Sequence, residues 1–385
     1  MKKNILVITE LFLPTKGGTA VWFDEVYRRL GGKEIVIITS RVPGSKEHDK
    51  NHPNKITRLN LRRYQWVKPE SLIMYIKLII FSLVTCYKNR IKEIHCGRVL
   101  PEGLVGLIVA KLMGGRIMIY AHGEEITTWI QPMKHKVMRY VYENADIVIA
   151  NSEFTKDKLI KLGVSRSNIR RISPGVDTKR FDKQRTTELL RKKLNIPKTS
   201  KILLSVGRLS RRKGFDMVIR SLSSLIKKGM DPYYVIIGIG EDKNYLEQVA
   251  REEGMQDRVF LLGHVTMEDL PKWYNECDIF IMPNRNIDGD EEGFGMVYIE
   301  AAACGKAAIA GKTGGTGSSV IDSVTGLRID GSSCKEVANA ISRLLEDDDF
   351  RVRLENNAYN RVQREFTWEK VAEKTSHIMK HGDLT

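Results

Sequence analysis

Cysteine is scarce in this chain. Cys86, Cys96, Cys277, Cys304 and Cys334 are spread over 385 positions. They are too few for a disulfide scaffold, and their spacing fits no zinc pattern, so they read as reduced cytosolic thiols. The sequence also offers no Asp-x-Asp run at a strand end and no grouped histidine, so no metal is expected. No secretory leader is expected either. Met1-Lys-Lys-Asn runs directly into Ile5-Leu-Val-Ile-Thr9, which reads as a buried strand and not as the apolar centre of a signal peptide. The most membrane-like stretch, Leu72 to Tyr87, is interrupted by Lys77 and falls short of the ~20 residues a span needs. Its first reading is a core-facing helix with one basic edge; the second is a helix lying in the bilayer interface. Hydrophobic residues at 42% and charged residues at 29% exclude a disordered chain and a collagen-like fibre.

Acidic residues are in short supply in one half only. The chain has 63 Lys+Arg against 47 Asp+Glu, a net charge of +16. Residues 1–184 hold 33 basic and 17 acidic residues, and the remainder holds 30 of each. The N-terminal half is therefore expected to meet something anionic: a membrane surface, a phosphorylated substrate or nucleic acid.

What is present is an alternation of short β-branched runs with amphipathic helical stretches. The runs are Ile5–Thr9, Ile35–Thr39, Arg116–Tyr120, Ile147–Ala150, Ile202–Val206, Tyr234–Ile237, Val259–Leu262, Ile279–Met282 and Ala307–Ala310. Continuous apolar strands alternating with helices indicate parallel sheets covered on both faces, the doubly wound α/β class. The series starts twice, at Ile5 and at Ile202, with a polar stretch, Asp182 to Ser200, as linker between them. Two Rossmann-like domains facing across a cleft are expected, at 1–184 and 185–366. A terminal helix at 367–385 is expected to cross back to the first domain.

In such sheets ligands bind beyond the carboxyl ends of the strands, and the unusual residues cluster in loops at those positions. Gly207-Arg-Leu-Ser-Arg-Arg-Lys-Gly214 follows a strand and precedes a helix. Arg208 and Lys213, with Arg211 and Arg212 beside them, make a candidate phosphate site. Gly17-Gly18 follows the first strand, where glycines let backbone N–H groups approach a ligand. Glu292 and Glu300 are eight apart within Asp290-Glu-Glu-Gly-Phe-Gly-Met-Val-Tyr-Ile-Glu-Ala-Ala-Ala-Cys-Gly305. Glu300, among small and apolar residues, needs hydrogen-bonding partners, and sugar hydroxyls would serve. Gly293 and Gly295 leave the following helix N-terminus open.

These motifs, in this order and spacing, resemble the family 4 retaining glycosyltransferases of the two-domain GT-B fold, along nearly the whole chain. Ala121-His122-Gly123-Glu124, Asn151-Ser152 and Ser173-Pro-Gly-Val-Asp177 with Phe181 resemble further family segments. The resemblance implies that Arg208, Lys213 and Gly207 clamp the donor diphosphate, and that Glu300 binds the ribose hydroxyls. It implies that Glu292 and the backbone of Gly293, Phe294 and Gly295 hold the donor sugar. Gly17 and Gly18 would contact the diphosphate, His122 would lie near the sugar's primary hydroxyl or the acceptor, and Val265 would border the base. The sequence departs from the family at Thr316-Gly-Ser-Ser319, where a Glu usually follows Gly314-Gly315; a more flexible loop is expected there.

The activity implied is transfer of a hexose from a nucleotide diphosphate sugar to a lipid-linked, glycan or small-molecule acceptor. The His-Gly-Glu-Glu loop and the Glu292–Ala301 run resemble mannosyltransferases acting on phosphatidylinositol mannosides, which points to GDP-mannose ahead of UDP-sugars. The expected partners are the donor, a lipid acceptor and an anionic membrane, with no nucleic acid, at a cytoplasmic location on the inner face of the membrane. An epimerase of the same fold is the alternative. A dehydrogenase would need Gly-x-Gly-x-x-Gly after the first strand, and a nucleic-acid binder would want interleaved basic and aromatic residues; neither is found. His95, His135 and His264 read as structural or surface residues.

Overall fold

The computed structural model describes residues 4–63, 70–184 and 188–382. It forms two compact units, Met1–Pro174 with Trp368–Thr385, and Gly175–Thr367.

In the first unit the strands are β1 (Ile5–Ile8), β2 (Ile35–Ser40), β3 (Lys55–Leu59), β4 (Glu93–Cys96), β5 (Arg116–Ala121), β6 (Ile147–Ala150) and β7 (Ile169–Arg171). They lie in the order β3-β2-β1-β4-β5-β6-β7, all parallel. Ile5-Leu-Val-Ile is buried at every position, as a strand sandwiched between helical layers requires. Strand order reverses between β1 and β4, so the loops after these two strands diverge and leave a crevice. The loop after β1 ends at Gly17, whose φ of 131° precedes the helix Gly18–Leu30.

The second unit repeats the scheme with β8 (Lys201–Val206), β9 (Pro232–Ile237), β10 (Val259–Gly263), β11 (Ile279–Met282), β12 (Ala308–Gly311) and β13 (Gly326–Ile329). Their order is β10-β9-β8-β11-β12-β13, again parallel throughout. The reversal falls between β8 and β11. The loops after these strands carry Arg208–Lys213 and Asn284–Glu292, so the topology brings the two sequence motifs to one crevice.

The units divide ten residues before the expected boundary at 184. Val176 donates its N–H to Phe366 O at 2.8 Å, and Phe181 is buried edge-on against Tyr274, which fixes 175–184 in the second unit. Within the expected linker, residues 185–187 lie outside the described residues, and the helix Leu189–Lys193 follows. The terminal helix Trp368–His381 belongs to the first unit and buries Trp368, Val371, Ala372, Thr375 and Ile378. By this division the first unit carries 33 basic and 18 acidic residues, so +15 of the +16 stays with it.

The helix Leu72–Asn89 corrects the core-facing reading. Met74, Leu78, Ser82 and Cys86 are buried, but Leu72, Ile76, Ile80, Phe81, Val84 and Tyr87 are 41–79% exposed. Two stripes at spacing four thus run along opposite faces, and the second is apolar and uncovered by the rest of the unit.

The fold also groups histidines that the sequence reading had left ungrouped. His48 Nε2 and His52 Nε2 stand 2.8 and 3.2 Å from Asp24 Oδ1, a set of donor atoms of the kind that can hold a cation. Asn54 N–H donates to His52 Nδ1 at 3.2 Å, which leaves the ring proton on Nε2, the atom facing Asp24. A proton there takes the lone pair a metal would need, so the trio is better described as a buried ion-pair network. Burial alone would raise the Asp24 carboxyl, but His48, His52 and Arg28 hold it well below the usual carboxylate range.

Candidate functional site

The loop after β8 turns through a single 3₁₀ turn, Arg211–Lys213, into the helix Phe215–Lys227. Gly214 makes the turn possible. Its φ is +73°, and a Cβ there would stand 2.2 Å from Pro283 O. The loops after β8 and β11 are therefore in direct backbone contact. They are further tied by Arg285, whose N–H donates to Arg212 O at 2.8 Å and whose guanidinium grips Asp216 at 3.0 and 2.9 Å.

On this frame Lys213 and Glu292 meet as a close ion pair. The same carboxylate oxygen, Oε2, accepts from Arg212 Nη1 at 3.0 Å and from Asn284 Nδ2 at 3.1 Å. Arg212 also reaches Asp290 at 3.1 Å. Burial would raise the Glu292 carboxyl, but Lys213 and Arg212 hold it down at about 2. Burial pulls Lys213 below its ordinary value, and Glu292 opposes this. The result is an ionised cluster in which Lys213 and Arg212 share the Glu292 carboxylate and Arg212 is also balanced by Asp290, so an anion is met by Lys213 turning away from Glu292 and not by a standing excess of positive charge.

Arg208 is in a different setting. Its side chain is 73% exposed and pairs with Glu241 at 3.1 Å, away from the Lys213–Glu292 contact. Gly207 lies beside the Lys213 stem, where an added Cβ would make ordinary contacts, the nearest Met282 Sδ at 3.5 Å.

The helix Met296–Ala303 follows Gly295, which has φ +83° and no room for a Cβ against the Tyr298 ring. Gly293 precedes it in the same loop. Phe294 is a core residue, 3% exposed and packed on Phe366, so only its backbone is available to a ligand. Glu300 accepts the Tyr274 hydroxyl at 2.8 Å, and burial pushes its carboxyl up to about 7. Thr316–Ser319, expected as a flexible loop, is a buried helical turn. Thr316 Oγ1 donates to Gly311 O at 2.6 Å and Ser319 Oγ to Phe294 O at 2.8 Å. Its small hydroxyl side chains serve as backbone ties.

Val265 and His264 line a cavity of about 500 Å³ with Leu262, Thr266, Asp269 and Trp273 among its other walls. His264, read as a structural or surface residue from sequence, borders this open volume.

In the first unit His122 follows β5 and is partly buried. Its Nε2 lies 2.9 Å from Gly97 O in the loop after β4. A carbonyl can only accept, so Nε2 carries the proton and Nδ1 is the accepting atom. Burial lowers its pKa, with Glu125 opposing. Glu125 holds the loop by accepting from His122 N–H at 2.9 Å and Tyr142 Oη at 2.7 Å. Gly17 and Gly18 sit at the end of the β1 loop, and a Cβ at Gly17 would meet nothing within 4 Å, so φ alone demands glycine there.

Sequence reasoning missed Asn284 and the Asp216–Arg285 pair. An asparagine after a strand-end proline carries no spacing signal; only the fold sets it on Glu292.

Known proteins resemble this chain over both units. The family model for glycosyltransferase family 4 matches residues 16–180, and that for glycosyl transferases group 1 matches residues 186–361. The chain is 27% identical over 388 residues to the GDP-mannose-dependent alpha-(1-6)-phosphatidylinositol monomannoside mannosyltransferase of Mycobacterium tuberculosis, covering 99% of each. It is 31% identical over 387 residues to the D-inositol 3-phosphate glycosyltransferase of Corynebacterium aurimucosum, covering 94% of this chain and 90% of that one. Among solved structures, Anabaena HepE in complex with UDP superposes with a TM-score of 0.83 at 19% identity, covering 98% of this chain and 99% of that one. Sucrose-phosphate synthase from Thermosynechococcus elongatus superposes with a TM-score of 0.81 at 23% identity, covering 98% of each. Two all-parallel sheets matched over nearly their whole length by GT-B structures, two family models that together span residues 16–361, and a relative 31% identical over 90% of its length show that this chain belongs to the family 4 glycosyltransferases.

Proposed function

We propose that the protein transfers a hexose from a nucleotide diphosphate sugar, with mannose from GDP-mannose the first choice, to a lipid or lipid-linked acceptor, with retention at the anomeric carbon and without a metal. The observation that carries this reading is the Lys213–Glu292–Arg212 cluster between the loops after β8 and β11. The names of the relatives support GDP-mannose and a phosphatidylinositol-type acceptor.

The chemistry follows from charge. As the bond from the anomeric carbon to the phosphate oxygen breaks, negative charge grows on the leaving diphosphate. Lys213, turning from Glu292, and Arg208, leaving its surface pair with Glu241, supply positive charge there, where it stabilises the transition state more than the ground state. The diphosphate competes with Glu292 for Lys213, and Arg212 keeps the carboxylate compensated when Lys213 turns to phosphate. Glu292 then accepts from the donor sugar's hydroxyls, and Glu300 from the ribose. The acceptor hydroxyl attacks from the face the phosphate leaves, and its proton passes to the departing phosphate oxygen. His122, neutral at pH 7, accepts through Nδ1 from a hydroxyl of the sugar or acceptor.

The test is a donor screen: release of nucleotide from GDP-mannose, UDP-glucose and UDP-galactose, with and without phosphatidylinositol mannoside. Turnover of none of them overturns the reading. In the same assay EDTA should leave the rate unchanged; a rate abolished by EDTA and restored by Mg²⁺ or Mn²⁺ would show that the clamp needs a metal.

Glu300 gives a pH signature. Its carboxyl, raised to about 7 by burial, is protonated below that pH and loses acceptor capacity toward the ribose. The donor KM should therefore rise as pH falls through about 7, while Glu300→Gln should raise KM and flatten that limb. A donor KM flat from pH 6 to 8 in the wild type would remove Glu300 from the ribose.

A further inference from the structure

We propose that Asn284 is a positioning residue that fixes the Glu292 carboxylate for the donor sugar; this rests on the role given to Glu292 above. Asn284 is completely buried, immediately after the strand-end Pro283. Its backbone is pinned on both sides. Its N–H donates to Met282 O at 2.8 Å, and its carbonyl accepts Thr313 Oγ1 at 3.3 Å. A Cβ on Gly311 would stand 1.7 Å from that carbonyl, so only glycine in β12 permits the approach.

The side-chain amide has one workable orientation. A carboxylate can only accept, so the amide nitrogen faces Glu292 Oε2, at 3.1 Å. The amide oxygen then faces the Tyr298 hydroxyl, which also lies 2.5 Å from Met282 O. Tyr298 is itself held by the helix Met296–Ala303 and packs against Gly295. A chain of contacts therefore runs from Gly295 through Tyr298 and Asn284 to one oxygen of Glu292.

Three donors converge on that oxygen: Asn284, Arg212 and Lys213. Lys213 and Arg212 end flexible stems, and Lys213 must turn to the diphosphate when donor arrives. Asn284 is the one neutral donor of the three, and its amide cannot follow the phosphate. It holds Oε2 in place throughout the cycle and leaves Oε1 to the sugar. Sequence comparison of charged residues alone would not find such a role, because the residue carries no charge and no proton to give.

The test is a double-mutant cycle on the full chain, with initial rates measured from GDP-mannose. Asn284→Asp keeps size and shape but replaces the donor by an acceptor. It should lower kcat/KM about tenfold or more, the scale of a hydrogen bond to a charged group, chiefly through a higher donor KM. In the Glu292→Gln background the same substitution should cost less than about twofold, because the partner carboxylate is gone. An equal penalty in both backgrounds, or none in the wild type, overturns the inference. Glu292→Gln alone at wild-type rate would instead refute the role of Glu292, and the positioning role would fall with it by a separate result. If Asn284→Asp fails to fold, Asn284→Ala takes its place in the cycle. A residue needed only for packing would lower the melting temperature and leave the donor KM unmoved.

Discussion

Replacing Lys213 or Arg208 with alanine should lower kcat by on the order of 10²-fold or more, the usual scale for losing a donor aimed at developing transition-state charge. The two variants should differ in everything else. Arg208 is exposed and makes one surface ion pair, and such pairs contribute ~0–1 kcal/mol, so Arg208→Ala should melt like the wild type. Lys213 is buried against Glu292. Removing one member of a buried pair costs about 3–5 kcal/mol when the other is left uncompensated. Here Arg212 and Asn284 remain on the carboxylate, so the loss should fall below that range. Single-turnover kinetics beside thermal melts would separate the effects. Near-wild-type turnover in both variants would sink the clamp assignment.

Membrane attachment is the second large effect expected. The first unit carries +15, and each basic residue near an anionic bilayer is worth about 1 kcal/mol, screened within a Debye length. The uncovered stripe of Leu72, Ile76, Ile80 and Val84 adds apolar insertion that salt does not remove. The protein should co-sediment with vesicles containing phosphatidylglycerol at low salt, far more than with phosphatidylcholine vesicles. A fraction should persist at about 0.5 M salt, where the Debye length is only a few ångströms. Ile76→Glu with Ile80→Glu should abolish that salt-resistant fraction. Both substitutions fall on exposed positions, so the fold should tolerate them. Binding to neither vesicle at low salt would refute the membrane reading and favour a soluble acceptor, and equal binding to both would refute the charge contribution.

How much of this was legible in the sequence depended on whether a residue's role followed from its neighbours in the chain. β1 and β11 announce themselves because they are apolar at every position, as a strand covered on both faces tends to be, and β8 because only Ser205 interrupts Ile202–Val206. β4 does not, although it is central. Glu93 and His95 interrupt its pattern, and they are tolerated because Tyr27 Oη meets His95 Nδ1 at 2.7 Å inside the core. β3, β7 and β13 are edge strands of three to five residues in which Lys, Thr and Arg interrupt the few buried apolar positions, so their runs are too short to stand out. In the site, Lys213 and Glu292 stood out because charge beside glycine in a strand-end loop is a local signal, and Glu300 because it is a lone carboxylate among small and apolar helix residues. That the Phe294 side chain is a core residue was not legible, because its burial against Phe366 is set by a residue 72 positions away. The helix Leu72–Asn89 was misjudged because its composition alone cannot say which of two apolar stripes meets the core.

The placement of Trp368–His381 has a consequence for biosynthesis. This helix completes the first unit, yet it is made after the whole of the second. On the ribosome, domains usually fold in the order they emerge. Here the second unit, Gly175–Thr367, can finish while the first still waits for its last helix. Until then the surface that will receive Trp368, Val371 and Ile378 is bare and apolar. The first unit is therefore the half most in need of chaperone cover during synthesis, and the half most sensitive to a late nonsense codon.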